Sequence, residues 1–198
     1  WLVENGVCQK AYATDINEKP LESAKNLISQ MGLEDKIETR LTNGLSGLPE
    51  KEINEVLICG MGGETIMEIL GAHDWVKSER VHLVLQPMSR ADSLRRWLYE
   101  NGWRIAEEKA VEAEGHIYSA MSVEYSGDKE TPDEIFCAIG KVSEQADKIA
   151  VKYMRRQAAI HRGVAAGLMR SQNGKSAAMR HIILADMIDG QADETENK

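Results

Sequence analysis

The sequence predicts an α/β protein: a mostly parallel, doubly wound sheet, closed at one edge by an antiparallel pair and followed by an all-helical arm. Three observations predict it. Strand and helix patterns alternate over the first 125 residues in the order β-α-β-β-α-β-α-β-β, which demands a parallel sheet covered on both faces. The stretch Glu55 to Leu70, EVLICGMGGETIMEIL, reads as strand, glycine turn and helix. From about Thr131 onward the strand pattern stops, and Ala, Lys, Arg, Gln and Met dominate.

Taken in order, Trp1 to Glu4 reads as the end of a helix, with Asn5-Gly6 as its stop. Lys10 to Ile16 is a strand ending in Asp15. A helix follows with Pro20 in its first turn and Leu21, Ala24, Leu27, Ile28 and Met31 at helical spacing, and Gly32 ends it. Lys36 to Thr42 alternates Ile37, Thr39 and Leu41 as a strand, and Asn43-Gly44 turns the chain. Val56, Leu57, Ile58 and Cys59 form a continuous apolar run that suits a strand buried on both faces. Gly60, Met61, Gly62 and Gly63 stop it, and Ile66, Ile69 and Leu70 resume as a helix with Glu64 near its positive end. Val81 to Gln86 is a further buried strand closed by Pro87. A helix from about Ala91 to Asn101 turns Leu94, Trp97 and Leu98 inward, and Gly102 stops it. Trp103 to Ala110 and Ile117 to Tyr125 are two strands joined closely enough to pair antiparallel. Ser126 to Asp133 is a polar linker, and Gln172-Asn173-Gly174 breaks the arm into two long helices, a helical hairpin. The expected domains are 1–127 for the sheet and 131–190 for the hairpin, with a disordered acidic tail at 191–198.

Composition narrows the function classes. Hydrophobic residues make up 42% and charged residues 28% of the chain, as in a soluble globular protein. No apolar run approaches the roughly 20 residues of a membrane helix. Cys8, Cys59 and Cys137 are scattered and odd in number, which fits reduced thiols in a cytoplasm better than disulfides or a metal site. The net charge of −8 argues against a nucleic-acid partner until its distribution is seen. Residues 1–140 carry −11 and the tail 182–198 carries −4, but residues 141–181 hold nine basic residues against Glu144 and Asp147. That asymmetry points to a polyanionic partner, with a merely solvated helix face as the plainer alternative.

The segments TDINEKPLESAKNLI, NGL, ICGMGGETI, LVLQP, LRRWLYENGWRI and EGHIYSAM occur in this order from about Val3 to Glu124. In them the chain resembles the bacterial tRNA (adenine-22-N1)-methyltransferases, the TrmK-like enzymes. The resemblance implies a Rossmann-like class I methyltransferase sheet with a coiled-coil-like C-terminal arm. It also implies S-adenosyl-L-methionine as cofactor, tRNA as partner and a cytoplasmic location, with no metal, no membrane and a monomer favoured. In that family a cofactor loop, an acidic-glycine stretch, lies on a first strand just upstream of what is Trp1 here, and this sequence has no counterpart to it. That strand is central, between those ending at Asp15 and Cys59, and without it two strand edges stay unpaired. The expectation is therefore a further N-terminal segment in the native protein, and weak cofactor binding by the chain as it stands.

The resemblance assigns cofactor binding to Asp15, Ile16, Asn43, Gly44 and Gly60. A carboxylate ending the second strand of such a sheet can accept both ribose hydroxyls, although an Asp there also serves as a turn or cap. The Asn43 amide suits an adenine edge. The resemblance places Gly60, Met61, Gly62 and Gln86 at the catalytic site, although a glycine turn there can also serve packing alone. The Asn/Asp-Pro-Pro-aromatic motif that grips an exocyclic amine is absent, which fits a ring nitrogen as target, and a backbone carbonyl or Gln86 is a candidate acceptor for the neighbouring N6 amine. Lys148, Lys152, Arg155, Arg156 and Arg162 are the candidate tRNA contacts. His73, His82 and His116 are more simply surface or packed residues. Tyr118 matches the family pattern EGxxY and could face the base, with a core or edge-strand tyrosine as the plainer reading. Trp75, Trp97 and Trp103 could stack nucleobases but at their helix and strand spacings are more simply core. A methyltransferase acting on a protein or small molecule, and a non-catalytic RNA-binding scaffold, stay open. An NAD-type dehydrogenase is disfavoured by the lack of G-x-G-x-x-G.

Overall fold

The computed structural model describes residues 1–171 and 173–197. Its contacts divide the chain into two compact units, Trp1–Glu52 and Ile53–Lys198. The Ser126–Asp133 stretch, read from the sequence as a linker, is not where the contacts divide, because the helices after it pack onto the last two strands.

In the first unit, β1 (Ala11–Asp15) and β2 (Ile37–Leu41) pair in parallel, with Ala11 opposite Ile37 and Asp15 opposite Leu41. The crossover between them is α1 (Glu18–Gln30), which buries Leu21 and Ile28. Its end is closed by Met31 N–H to the Leu27 carbonyl and Leu33 N–H to the Ile28 carbonyl, the pattern of a glycine-terminated helix. Ahead of β1, Trp1 to Gly6 form successive hydrogen-bonded turns.

The second unit is a four-stranded mixed sheet in the order β3-β4-β6-β5. β3 (Glu55–Gly62) and β4 (His82–Ser89) are parallel; β6 (His116–Tyr125) runs antiparallel to both β4 and β5 (Trp103–Ala113). Both β3 and β4 outrun their expected ends. β3 continues through the glycines, with a register shift, so that Met61 lies opposite Pro87 and Gly62 opposite Ser89. Nor is β3 buried on both faces. Val56 and Ile58 are buried, while Leu57 is 48% exposed. The buried face looks onto α2 (Gly63–Gly71) and α3 (Ala91–Glu100), whose Ile66, Leu70, Leu94 and Leu98 are fully buried. Cys8, Cys59 and Cys137 are free thiols, and burial pushes Cys137 up to about 11.

The third inward residue of α3 is Arg95 rather than Trp97, which is only half-buried. Arg95 and Glu108 form an ion pair at 2.7 Å with both side chains fully buried. A bulge at Ala106 makes this possible. Ile105 lies opposite Val123 and Glu107 opposite Ser122, so Ala106 is extra, and inward-facing positions pass from Trp103 and Ile105 to Glu108 and Ala110. Arg95 also donates to the Cys137 and Ala138 carbonyls at 2.7 and 3.0 Å and to the Tyr153 hydroxyl at 2.6 Å. Glu108 accepts the Lys141 backbone N–H at 3.1 Å. A Cβ on Gly140 would sit 1.8 Å from the Glu108 Oε2, so only glycine passes there. Burial opposes the charge on Arg95, but Glu108 and Tyr153 outweigh it and hold the guanidinium protonated.

The C-terminal helices are α4 (Glu134–Ile139), α5 (Lys148–Leu168) and α6 (Lys175–Glu196). Asp133 caps α4 by accepting Phe136 N–H, and Asp147 caps α5 by accepting Ile149 and Ala150 N–H. α5 and α6 form the expected antiparallel hairpin, of whose Gln172-Asn173-Gly174 break Gln172 lies outside the described residues. The tail expected to be disordered is helical through Glu196; Lys198 lies outside the described residues. Ala192 and Thr195 are buried, and Asp193 and Glu196 pair with Arg155. The acidic residues that suggested disorder are thus the counterions of α5. Among the described residues no helix is long and apolar enough to cross a membrane.

Replacing Glu108 with Gln strands a buried guanidinium, so the Glu108→Gln protein is expected to lose about 3 kcal/mol of stability in urea unfolding. A loss under about 1 kcal/mol would mean that the carbonyls and Tyr153 alone satisfy Arg95.

Candidate active site

The predicted cofactor and catalytic residues fall in both units, and within each they lie at the carboxyl ends of the strands; the candidate tRNA contacts lie on α5. In the first unit, Asp15 Oδ1 accepts Asn17 N–H at 2.8 Å, which turns the chain into α1. The Asp15 carbonyl accepts Thr42 N–H at 2.9 Å, so Asp15 and the Thr42-Asn43-Gly44 turn sit side by side. Oδ2 of Asp15 and the Asn43 amide have no partner among the described residues. Gly44 takes a φ of +57°, and Ile16 is 65% exposed. The first unit therefore presents a carboxylate oxygen, an amide and an apolar side chain at one end.

In the second unit, Gly60 N–H donates to Gln86 Oε1 at 2.9 Å. The Gln86 amide donates in turn to the Pro87 carbonyl at 3.2 Å. Gln86 thus clamps the glycine turn of β3 to the end of β4, and one lone pair of its oxygen stays available. Gly63 starts α2 against the neighbouring loop: a Cβ there would lie 2.5 Å from the Arg90 carbonyl oxygen and 3.0 Å from that of Ser89. Arg90 itself adopts a left-handed φ of +56°. A Cβ at Gly60, by contrast, would meet nothing within 4 Å, so this turn leaves open space where a ligand can approach backbone. Met61 is 36% and Met88 53% exposed beside it.

The histidines follow the plainer reading. His82 bridges Glu55 at 3.3 Å and Ser122 at 2.8 Å, at the amino end of β4 and away from the glycine turn. His116 is exposed next to Tyr118, their rings 6.2 Å apart, and His73 precedes a 3-10 turn at Asp74–Val76. Trp103 is fully buried.

Most of the candidate tRNA contacts are already engaged. Lys152 pairs with Glu112 at 3.0 Å. Arg155 pairs with Asp189 at 3.1 Å, and also with Asp193 and Glu196. Its hydrogen bonds to Asp193 and Asp189 raise its pKa. Arg162 pairs with Asp186 at 2.8 Å and with Asp189, and Arg156 donates to the Ile117 carbonyl at 2.9 Å. Of the five, only Lys148 has a side chain with no partner among the described residues. Arg170, Lys175 and Arg180, at and near the hairpin turn, are exposed and likewise without side-chain partners there.

Two features escaped the sequence reading. One is a cleft of about 410 Å³ walled by the ends of β4 and β6 and by α5 and α6. The other is His161 and His181, whose Nδ1 atoms lie 2.9 Å apart with stacked rings. The two histidines are nearly equidistant from the hairpin turn, which is the signal that was available. Burial, then His181, pushes the His161 pKa below its ordinary value.

With this geometry in view, the comparisons are consistent. Residues 1–121 match the family model for a methyltransferase domain. The chain therefore belongs to the methyltransferase-domain family. It is 32% identical over 130 residues, 66% of this chain and 54% of the relative, to the tRNA (adenine(22)-N(1))-methyltransferase of Bacillus subtilis. It is 34% identical over 126 residues, 62% of this chain and 56% of the relative, to a candidate tRNA methyltransferase of Mycoplasma pneumoniae. The chain thus spans little more than half the length of these curated relatives. Among solved structures, a candidate tRNA (m1A22) methyltransferase from Streptococcus pneumoniae superposes with a TM-score of 0.81 at 28% identity, over 95% of this chain and 85% of that one. The same protein has also been solved with S-adenosyl-L-methionine. The fold is the Rossmann-like methyltransferase fold.

Two outcomes test the local geometry. Gln86→Leu removes the acceptor of Gly60 N–H, and amide hydrogen exchange at Gly60 should quicken about fivefold; unchanged exchange would show that the clamp is not formed. The depressed His161 pKa means that the unfolded chain takes up this proton more readily than the folded one. Its contribution to stability is complete above about 6.5 and falls as pH drops below that value. Melting temperature should therefore decline from pH 7 to pH 5, and the decline should be shallower in His161→Asn.

Proposed function

We propose that this chain is part of an S-adenosylmethionine-dependent methyltransferase that modifies N1 of adenine 22 in tRNA. The observation that carries the reading is the glycine turn at the end of β3. It is held open by Gln86, and it offers backbone and space where amine-directed enzymes carry an amide or carboxylate side chain.

The residues present fit the cofactor. In the first unit, the free Asp15 oxygen suits ribose hydroxyls, the Asn43 amide suits an adenine edge, and Ile16 offers apolar cover. In the second unit, Gly60 leaves open backbone at the glycine turn. When bound, S-adenosylmethionine supplies an electrophilic methyl group. Adenine N1 carries an in-plane lone pair, so the chain's task is alignment rather than proton removal. Gly60, Met61 and Gly62 form the backbone wall at this place, and Gln86 keeps that wall in position and offers its remaining lone pair to the N6 amine. N1 lies on the pairing edge, so the base must be unpaired or extruded to react.

The partner is tRNA, in the cytoplasm. Lys148, Lys152, Arg155, Arg156 and Arg162 line the hairpin, but four of them already bind protein groups. Contact with phosphates then falls first to Lys148, Arg170, Lys175 and Arg180, and Arg155 and Arg162 keep the hairpin closed.

Calorimetric titration with S-adenosylmethionine, followed by incubation with unmodified tRNA and detection of 1-methyladenosine, tests the reading. Weak cofactor binding by the chain as it stands, stronger binding and methylation at position 22 once an N-terminal extension is restored, and tRNA affinity falling steeply as salt rises, are the expected results. Neutralising Arg170, Lys175 and Arg180 together should weaken tRNA binding more than neutralising Lys152 alone. Methyl transfer to a protein or small molecule and not to tRNA would overturn the reading.

A further inference from the structure

We propose that the 410 Å³ cleft of the second unit is the pocket for the extruded adenine nucleotide, and that Gln157 of α5 reads the base within it. The inference deepens the methyltransferase reading and rests on it. Nothing in that reading requires the C-terminal helices to do more than hold the tRNA backbone.

Position comes first. One wall of the cleft is Pro87 to Asp92, the segment that leaves β4 beside Gln86. The carbonyls of Ser89 and Arg90 in that wall are the atoms against which Gly63 packs. The cleft therefore shares with the glycine turn the loop that leaves β4 at the carboxyl end of the parallel strands, where such sheets bind their ligands. Its volume falls within the range of about 300–1,000 Å³ typical of small-ligand sites.

The lining fits a nucleobase better than a phosphate or a lipid tail. Met88 and Ile160 are 53% and 48% exposed and give apolar sides. Tyr118, on β6, adds an aromatic face and a hydroxyl without a partner among the described residues. The cations at the rim are partly committed: Arg156 donates to the Ile117 carbonyl and Arg90 to Ser93. Bases stack on aromatic and guanidinium planes, largely independently of sequence.

Recognition of adenine needs one more element. If N1 is the reacting atom, its lone pair cannot be spent on binding. The base must be read from its N6 and N7 edge, which asks for one acceptor and one donor side by side. A glutamine amide supplies that pair. The Gln157 side chain lines the cleft and has no hydrogen-bond partner among the described residues. One turn along α5, His161 meets His181 of α6 at 2.9 Å, and the two fix the back wall across the hairpin. At that separation one Nδ1 carries a proton and the other accepts it. Gln157 is thus a specificity-determining residue on a wall held by the histidine pair.

The test uses the whole chain and adenosine 5′-monophosphate as probe, followed by NMR, with uridine 5′-monophosphate as control. Shifts that map to Tyr118, Gln157 and His161, with adenosine preferred, are expected. Gln157→Leu should weaken binding about tenfold and abolish the preference. Tyr118→Leu should weaken both nucleotides, and Tyr118→Phe should restore them. With unmodified tRNA, Gln157→Leu should lower kcat/KM for methylation at least as much, with S-adenosylmethionine affinity unchanged. Nucleotide shifts elsewhere, or variants that bind like the parent chain, would overturn the pocket even if tRNA is methylated. Mapped, Gln157-dependent binding in a chain that methylates only another substrate would overturn the tRNA reading and leave the cleft as a nucleotide site.

Discussion

The buried ion pair between Arg95 and Glu108 is the constraint on which the second unit depends. It joins α3 to β5 directly, α4 through the Cys137 and Ala138 carbonyls, and α5 through Tyr153. Every donor or acceptor in this network is removed from water, so none is dispensable without leaving another unpaired. An apolar contact of the same size would give comparable stability with less directional demand. The ion pair instead fixes where the C-terminal helices dock, because the guanidinium fork accepts few arrangements of its partners. The positions of α5 and of the cleft it walls follow from that docking.

Charge in the C-terminal helices is arranged in the same manner, though at the surface. Taken as composition, residues 141–181 are strongly basic and the following residues acidic. Taken as structure, the two runs lie antiparallel and neutralise one another through Arg155, Arg162, Asp186, Asp189 and Asp193. Exposed pairs of this kind add little stability singly. Their larger effect is to set the register of α6 on α5, which also places His181 against His161. The positive charge left over lies at and near the hairpin turn and, at the other end of α5, on Lys148. A count along the sequence finds the excess, and only the pairing shows where it is free to act.

Much of the fold was legible because it rests on local rules. The strand and helix order follows from apolar periodicity, and the glycine turn from its own composition. The departures have particular causes. β3 and β4 extend past Gly60 and Pro87 because a register shift lets the pairing continue. Arg95 was hidden because it stands beside Arg96 in a helix whose period already placed Leu94 and Leu98 inside. Glu108 was hidden because a regular strand would have turned Glu107 inward in its place, and the bulge at Ala106 reverses that. The acidic C-terminal residues looked unstructured because their partners lie about 30 to 40 positions earlier. Of the candidate site residues, Asp15, Asn43 and Gly60 were visible at strand ends, whereas Gln86 disclosed its clamp only once β3 and β4 were paired.

These departures share one origin, a polar group whose partner is distant in sequence. Apolar periodicity reports on a residue's own element, so it succeeds for Leu94 and Ile58. A buried charge reports on the whole unit, since its environment is acceptable only when every partner has arrived. Arg95 and Glu108 therefore mark the point at which folding of the sheet and docking of the helices become a single event. If the cleft is the nucleotide pocket, the same coupling extends to function. Gln157 stands one turn beyond Tyr153 on α5, so the ion pair that anchors Tyr153 also sets the height at which Gln157 meets the base.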